Sequence, residues 1–470
     1  MALVPAMVLA GCWRFAAGRT PDGIAIVAEQ QLSPAGLPAA LGTPLLSVRR
    51  TPGVLSRETK ATSFRAELQP LLDRLDTNSC LALSIDGEPV ATVHETTSLR
   101  PASNVKLITA AVALEVLGPA FTYTTTVNGT VAPGGVVAGD LFLVGGGDPL
   151  LSSSWWNGPS QKFPPVNVTS IEALADAVKA AGVTAVTGAV VGDASRYDAE
   201  WYLPTWADSL HFTEGGPLSA LLVNDSREAA DTSSNDPVVG AATVLTQLLV
   251  ERGITVGGEP AAGTSDVAAV VASVSSQALP AVLQEMLTTS DNNTAELVLK
   301  EIGLHAGGAG TTAAGMTVVM ARLQQWGIAL DGVTLVDGSG LSDENRLTCA
   351  ALLAVLQHGS VDDAVGRGLP IGGRKGGTLY DAFQEGEPLS GVIRAKTGTL
   401  DNTDGVANKP GTKALSGYVP LNGGGAIEFS LLLNGETITN KSEYRPVWEL
   451  LATTLAAYLD GPSAATLGPR

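Results

Sequence analysis

Three short groups of residues in this 470-residue chain combine hydroxyls with an amine or an amide at spacings that suit acyl transfer. In Ser103-Asn104-Val105-Lys106, a spacing of three at a helix start puts both side chains on one helix face, so the Lys106 nitrogen can reach the Ser103 hydroxyl. The helix amino end adds unpaired N–H groups and a positive dipole, which stabilise negative charge growing beside Ser103. Ser290-Asp291-Asn292, near the junction of two helix-like stretches, offers a hydroxyl to shuttle a proton and an amide to bond a substrate. Lys396-Thr397-Gly398-Thr399, at the end of the strand-like run Gly391 to Ala395, supplies a cation, two hydroxyls for a carboxylate and, at Gly398, room for close backbone approach. Each group alone also has a plain structural reading: a capping serine with a solvated lysine, a helix cap, and a strand ending in a turn with a surface lysine.

The elements that must position these groups can be read from periodicity. Phe64, Leu68, Leu71, Leu72 and Leu75 recur at helical spacing, with Pro70 interrupting or kinking the run. Leu81 to Ile85 and Val90 to Val93 flank Asp86-Gly87-Glu88-Pro89 and predict a hairpin. Pro101-Ala102-Ser103 opens a helix that runs unbroken from Val105 to Leu117. Between about 121 and 275 the pattern changes to short strands (Phe121 to Val127, Asp140 to Val144, Val183 to Val191) interleaved with helices at about Ile171 to Ala181 and Val238 to Arg252. Helices return at about Gln277 to Gly303 and Gly315 to Trp326. Strands at Val392 to Lys396, Ala414 to Val419 and Ile427 to Leu433 precede a last helix at about Glu443 to Leu459. The fold class is α+β: one antiparallel sheet with helices on it, split by a large inserted α+β domain.

Composition narrows the chemistry. Acidic residues outnumber basic ones 46 to 28, for a net charge of -18, and no Lys/Arg-rich stripe occurs, so nucleic acid is not an expected partner. The four histidines lack paired-ligand spacing, and no G-x-S-x-G elbow is present, so neither a metal site nor a Ser-His-Asp triad is indicated. Met1 to Gly11 is apolar and leads into Cys12 through Leu9-Ala10-Gly11, the small-residue form of a lipoprotein cleavage site. Residues 1–12 therefore read as a leader or lipoprotein-type signal able to anchor the chain to a membrane, and 13–58 as a Pro/Gly/Ala-rich linker. Export would permit a Cys80–Cys349 disulfide; with no distance given by sequence, two buried thiols is the reading adopted.

In this order, S-x-x-K on a helix, S-x-N in a loop and K-T-G on a strand resemble the signature of class A β-lactamases and penicillin-binding proteins. More closely, the chain resembles the D-alanyl-D-alanine carboxypeptidase/endopeptidase family of low-molecular-mass, class C type penicillin-binding proteins (peptidase family S13), in which a large insert separates the first two motifs. The likeness runs from about residue 60 to 460. It includes Pro101-Ala102-Ser103, Gly145-Gly146-Gly147-Asp148-Pro149, Leu218-Ser219-Ala220-Leu221, Asp337-Gly338-Ser339-Gly340-Leu341-Ser342 and Gly377-Thr378-Leu379.

The resemblance implies a penicillin-binding-protein/serine β-lactamase-like transpeptidase fold, with a D,D-peptidase domain at 59–120 and 276–470 and an accessory domain at 121–275. It implies a cell-envelope location, no cofactor, and peptidoglycan stem peptides and β-lactam antibiotics as partners. Ser103 would be the nucleophile and Lys106 its base, its pKa lowered by partial burial and by Lys396. Ser290 would relay a proton and Asn292 bond the substrate amide. Lys396, Thr397 and Thr399 would hold a carboxylate, with Gly398 and Leu341 beside the substrate. Two departures stand out. Asp343 occupies the position after D-G-S-G-L-S where relatives often carry a base, and either biases stem-peptide preference or caps the helix from Arg346 to Leu356. The polar stretch from Leu400 to Ala414 is longer than the family connection. A non-catalytic β-lactam-sensing or wall-binding module is the alternative; a β-lactamase, which would need a Glu-x-x-Leu-Asn loop absent here, is a lesser one.

Overall fold

The run Ser79–Ile85 is apolar at successive positions, a pattern that needs cover on both faces of a sheet. In the computed structural model, which describes residues 64–460 apart from 157–162, 212, 230–231, 402–409 and 423, it receives that cover. Cys80 and Ala82 face a core built with the helices Val105–Leu117, Leu279–Thr289, Asn292–Gly307 and Cys349–His358. Leu81 and Leu83 face the opposite core, with Phe64, Leu68 and Leu71 of the helix over 64–72 and Leu451 and Leu455 of the closing helix Lys441–Asp460. The helix over 64–72 continues past Pro70, and Leu72 is only partly buried. The leader, Cys12 and the linker lie outside the described residues.

The central sheet has five strands, ordered Arg394–Leu400, Gly411–Pro420, Ala426–Gly435, Ser79–Ile85 and Glu88–Val93, all neighbours antiparallel. The hairpin turn is tighter than its sequence suggests. Asp86 and Gly87 both take positive φ, 50° and 80°, as a two-residue type I′ turn demands, and Glu88 and Pro89 join the strand. The strand carrying Lys396 is also longer than predicted, so the K-T-G-T group lies within an edge strand and not at its end.

A second five-stranded sheet comes from the middle of the chain, in the order Ala261–Ala262, Val190–Asp193, Leu141–Val144, Thr124–Asn128 and Val270–Ser275. The run predicted as one strand from Val183 to Val191 is two short strands, Ala185–Val186 and Val190–Asp193, in different sheets. Helices Ile171–Ala180 and Pro237–Glu251 cover this middle segment, capped by Ser170 and Asp236. It is tied to Asn292–Gly307 by buried charges: Glu301 accepts from Arg196 and Tyr197, and Lys300 donates to Asp198.

Cys80 and Cys349 form a disulfide, which corrects the two-thiol reading. The cause is topological: the helix Cys349–His358 packs on the sheet beside Ser79–Ile85, bringing together Cα atoms 5.9 Å apart across a sequence separation of 269. Reduction, or Cys349→Ser, should lower unfolding stability by about 2–5 kcal/mol. A thermal melt with and without reductant checks this; an unchanged midpoint would show that packing alone holds the helix.

Candidate active site

Ser103 lies in a short 3-10 turn, Ala102–Asn104, that feeds the helix Val105–Leu117. Ala102 has φ 48°, a left-handed conformation costly for a residue with a Cβ. The turn is pressed from two sides by glycines. A Cβ at Gly340, itself at φ 83°, would lie 1.9 Å from the Ala102 carbonyl oxygen, and one at Gly398 would lie 2.9 Å from that of Pro101. The close approach permitted by Gly398 is thus to the turn that carries Ser103. No side-chain cap is made at this helix start, and the Ser103 hydroxyl instead accepts from Lys106 Nζ at 3.0 Å.

Lys106 has no exposed surface and donates to three acceptors: Ser103 Oγ, Asn292 Oδ1 at 2.6 Å and the Ser339 carbonyl at 2.8 Å. The last two are oxygens without hydrogen. When the amine is neutral, its two N–H bonds stay with them and its lone pair is left facing the Ser103 hydroxyl, the one partner able to turn from acceptor to donor. Burial pushes the Lys106 amine down to about 8, against the opposing pull of Asp291, Glu296, Asp337 and Glu214. Full burial, where the sequence implied only partial burial, is therefore the leading cause.

Ser290 sits at the junction of two helices, as its sequence position implied, dividing the helical region from Gln277 to Gly303 by taking the left-handed conformation (φ 69°) after Thr289. Asp291 caps the second helix by accepting from the Thr294 N–H, so the capping reading belongs to Asp291 while its neighbours turn to the cleft. Ser290 Oγ accepts from Lys396 Nζ at 2.7 Å, and Lys396 also donates to the Thr397 carbonyl. Lys396 is fully buried, and burial, then the like charge of Lys106, holds its amine well below the usual lysine range. Ser103, Ser290, Asn292, Leu341, Thr397 and Thr399 line one cleft of about 500 Å³, with both lysines beneath its surface.

Asp343 is not among the lining residues. Its carboxylate accepts from Arg100, whose guanidinium is almost fully buried, and the helix Cys349–His358 is capped by Thr348 instead. Of the long stretch after K-T-G-T, residues 402–409 lie outside the described residues.

Sequence reasoning missed what supports these side chains. The loop Asp337–Ser342, which offers its Ser339 carbonyl to Lys106, is held from within by Asp337, which accepts from Gly340 N, Ser342 N, Asn345 and Trp206. Glu296 holds it from outside, accepting from Gly338 N and Ser339 N at 2.7–3.0 Å. Glu296 is fully buried, and burial with the charge of Asp337 pushes its carboxyl up to about 8. The signal was available: Glu296 follows Asn292 by four residues, on the same helix face.

The chain was then compared with known proteins. The family model described as D-Ala-D-Ala carboxypeptidase 3 (S13) matches residues 73–237 and 225–455. The chain is similar to a D-alanyl-D-alanine carboxypeptidase of an Actinomadura species, 30% identical over 424 residues, covering 72% of this chain and 74% of the relative. It is similar to carboxypeptidase DacB of Mycolicibacterium smegmatis, 30% identical over 375 residues and 73% of each chain. In fold it is similar to the crystal structure of penicillin-binding protein 4 from Haemophilus influenzae, with a TM-score of 0.66 at 19% identity, covering 83% of this chain and 99% of that one.

Two outcomes follow from this geometry. Because the Lys106 pKa is lowered, the neutral base gains population as pH rises; acylation of Ser103 should climb roughly tenfold per pH unit below about 8 and level above it. Stopped-flow acylation between pH 5 and 10 reads this, and a flat profile would remove Lys106 as the base. Glu296→Ala leaves the Gly338 and Ser339 N–H groups buried without their acceptor and should cost about 2–4 kcal/mol in a denaturant titration.

Proposed function

The chain belongs to the D-Ala-D-Ala carboxypeptidase 3 (S13) family and is a serine D-Ala-D-Ala carboxypeptidase of the penicillin-binding type, and we propose the residues that carry its reaction. The observation that supports the reading most strongly is the paired arrangement Lys106–Ser103 and Lys396–Ser290, two hydroxyls each bonded to a buried amine in one cleft.

Ser103 Oγ attacks the carbonyl between the terminal D-alanines as its proton passes to Lys106. The backbone N–H groups of Ser103 and Thr399 hold the oxyanion. The oxygen of Ser290 accepts from Lys396, so its own hydrogen can go to the departing amine as a Lys396 proton replaces it, leaving Lys396 neutral and Lys106 protonated. D-alanine leaves, the peptide remains as an ester on Ser103, and water hydrolyses it. Asn292 bonds the substrate amide, Leu341 packs beside the substrate, and Lys396, Thr397 and Thr399 receive the carboxylate. Thr397 is itself oriented by the Thr378 hydroxyl at 2.9 Å. β-Lactams follow the same route to a stable ester.

The substrate places the enzyme's action outside the cytoplasm, and the Cys80–Cys349 disulfide suits an oxidising compartment. No helix among the described residues is long and apolar enough to cross a membrane. We assign anchoring to the leader around Cys12, the peptidase domain to 59–120 and 276–470, and an accessory role to the insert at 121–275. Asp343, neutralised by Arg100, has a weaker hold on substrate charge than its position in the sequence implies.

Intact mass after incubation with a penicillin should give a stable adduct that Ser103→Ala abolishes and Lys106→Ala slows by at least about a hundredfold. Rapid turnover of the drug would favour a β-lactamase. No adduct and no D-alanine release would favour a binding module.

A further inference from the structure

Beyond Thr399 the cleft ends in a group of cations that the reaction above does not use. Lys413, on the strand next to the K-T-G-T strand, stands opposite Thr399 in register, and its ammonium donates to Thr399 Oγ1 at 2.7 Å. It lies 4.5 Å from the centre of the Tyr444 ring and 6.0 Å from that of Trp448, a cation–π contact that holds it on the cleft side. Lys441 and Arg445, also lining the cleft, share Asp381 at 3.0 and 3.2 Å. No carboxylate among the described residues lies within ion-pair distance of Lys413. Three cations thus meet two acids at this end, Asp381, which is ion-paired, and Asp401, whose charge reaches Lys413.

The hydrogen bond has a directional consequence. An ammonium can only donate, so the Thr399 oxygen is an acceptor toward Lys413 and its hydrogen must be given elsewhere. With Thr399 lining the cleft, that hydrogen is available to an acceptor arriving there. Lys396, by contrast, is fully buried and already donates to Ser290 and to the Thr397 carbonyl. The positive charge most open to an anion at Thr399 is Lys413. Burial, which pushes its amine down to about 8, shows an ammonium lacking the solvation that an arriving carboxylate would replace.

We propose that Lys413 is the residue that selects a free carboxylate on the leaving residue, acting directly through its charge and through the orientation it imposes on Thr399. The inference rests on the carboxypeptidase reading of the cleft. It adds a specificity determinant drawn from the neighbouring strand, outside the three motifs.

The test uses two peptides ending in D-Ala-D-Ala that differ only in a terminal carboxylate or carboxamide, with kcat/KM measured for wild type, Lys413→Gln and Lys413→Arg. The carboxylate-over-carboxamide preference should fall about tenfold or more in Lys413→Gln and be largely retained in Lys413→Arg. A ratio is insensitive to the folded fraction, so a merely structural role would leave it unmoved. If Lys413→Gln does not fold, Tyr444→Leu removes the ring under the ammonium and should lower the same ratio. An unchanged ratio in a folded, active variant overturns the inference. A wild type that releases neither leaving group and takes no penicillin adduct overturns the underlying reading instead.

Discussion

A lysine ammonium without exposed surface must find acceptors for its N–H bonds inside the protein, and at Lys106 that demand organises the site. Its partners come from the turn before its own helix, from the start of the helix Asn292–Gly307, and from the Asp337–Ser342 loop. An unpaired charge at this depth would cost several kcal/mol, so any arrangement that separates these three segments is disfavoured as a whole. The same burial lowers the amine toward the range in which it can take a proton. Structural satisfaction and basicity have one origin, because two of the three acceptors cannot give a hydrogen and the third can.

The loop that supplies the Ser339 carbonyl would be a poor anchor by itself. Its shape is set by carboxyl groups on both sides, Asp337 accepting within the loop and Glu296 accepting from the adjoining helix. Glu296 and Asn292 lie on one face of one helix, so the rigid body that presents Asn292 to Lys106 also grips the loop that presents Ser339. The middle segment bears on this helix too, through Glu301 and Lys300. Gly340 then lets the loop close against Ala102, where any side chain would displace the turn carrying Ser103.

Much of this was legible. Ser103 and Lys106 were singled out by a spacing that implied contact, and Ser290, Asn292, Lys396, Thr397 and Thr399 as groups suited to a substrate in motifs of a telling order; the structure brings these residues together at one cleft. The α+β reading followed from the order of helix-like and strand-like runs, such as the hairpin from Leu81 to Val93 ahead of the helix from Val105 to Leu117. What was not legible depended on tertiary distance. The Cys80–Cys349 bond needs the packing of a late helix on an early strand, which periodicity does not carry. Asp343 read as a cleft residue or a cap because its partner, Arg100, lies far away in sequence. Lys413 carries no motif, and its register opposite Thr399 appears only once the strands pair.

The charge of the whole molecule and that of the cleft point in opposite directions. A chain with net charge -18 should repel an anionic peptide, yet the cleft floor and end hold Lys106, Lys396, Lys413, Lys441 and Arg445. Screening reconciles the two: at physiological ionic strength, charges more than about 8 Å away through solvent are largely damped, while buried or partly buried groups at contact distance are damped much less. Surface acidity therefore bears chiefly on solubility and approach, and the energy of a bound carboxylate is decided by the few cations within hydrogen-bonding reach. Those cations differ in how far the protein's own acids cancel them, since Lys441 and Arg445 share Asp381. Lys396 is engaged by neutral oxygens and its amine is held well below the usual lysine range, whereas Lys413, resting on a hydroxyl and a ring, is the cation a substrate anion meets with no carboxylate among the described residues in ion-pair contact.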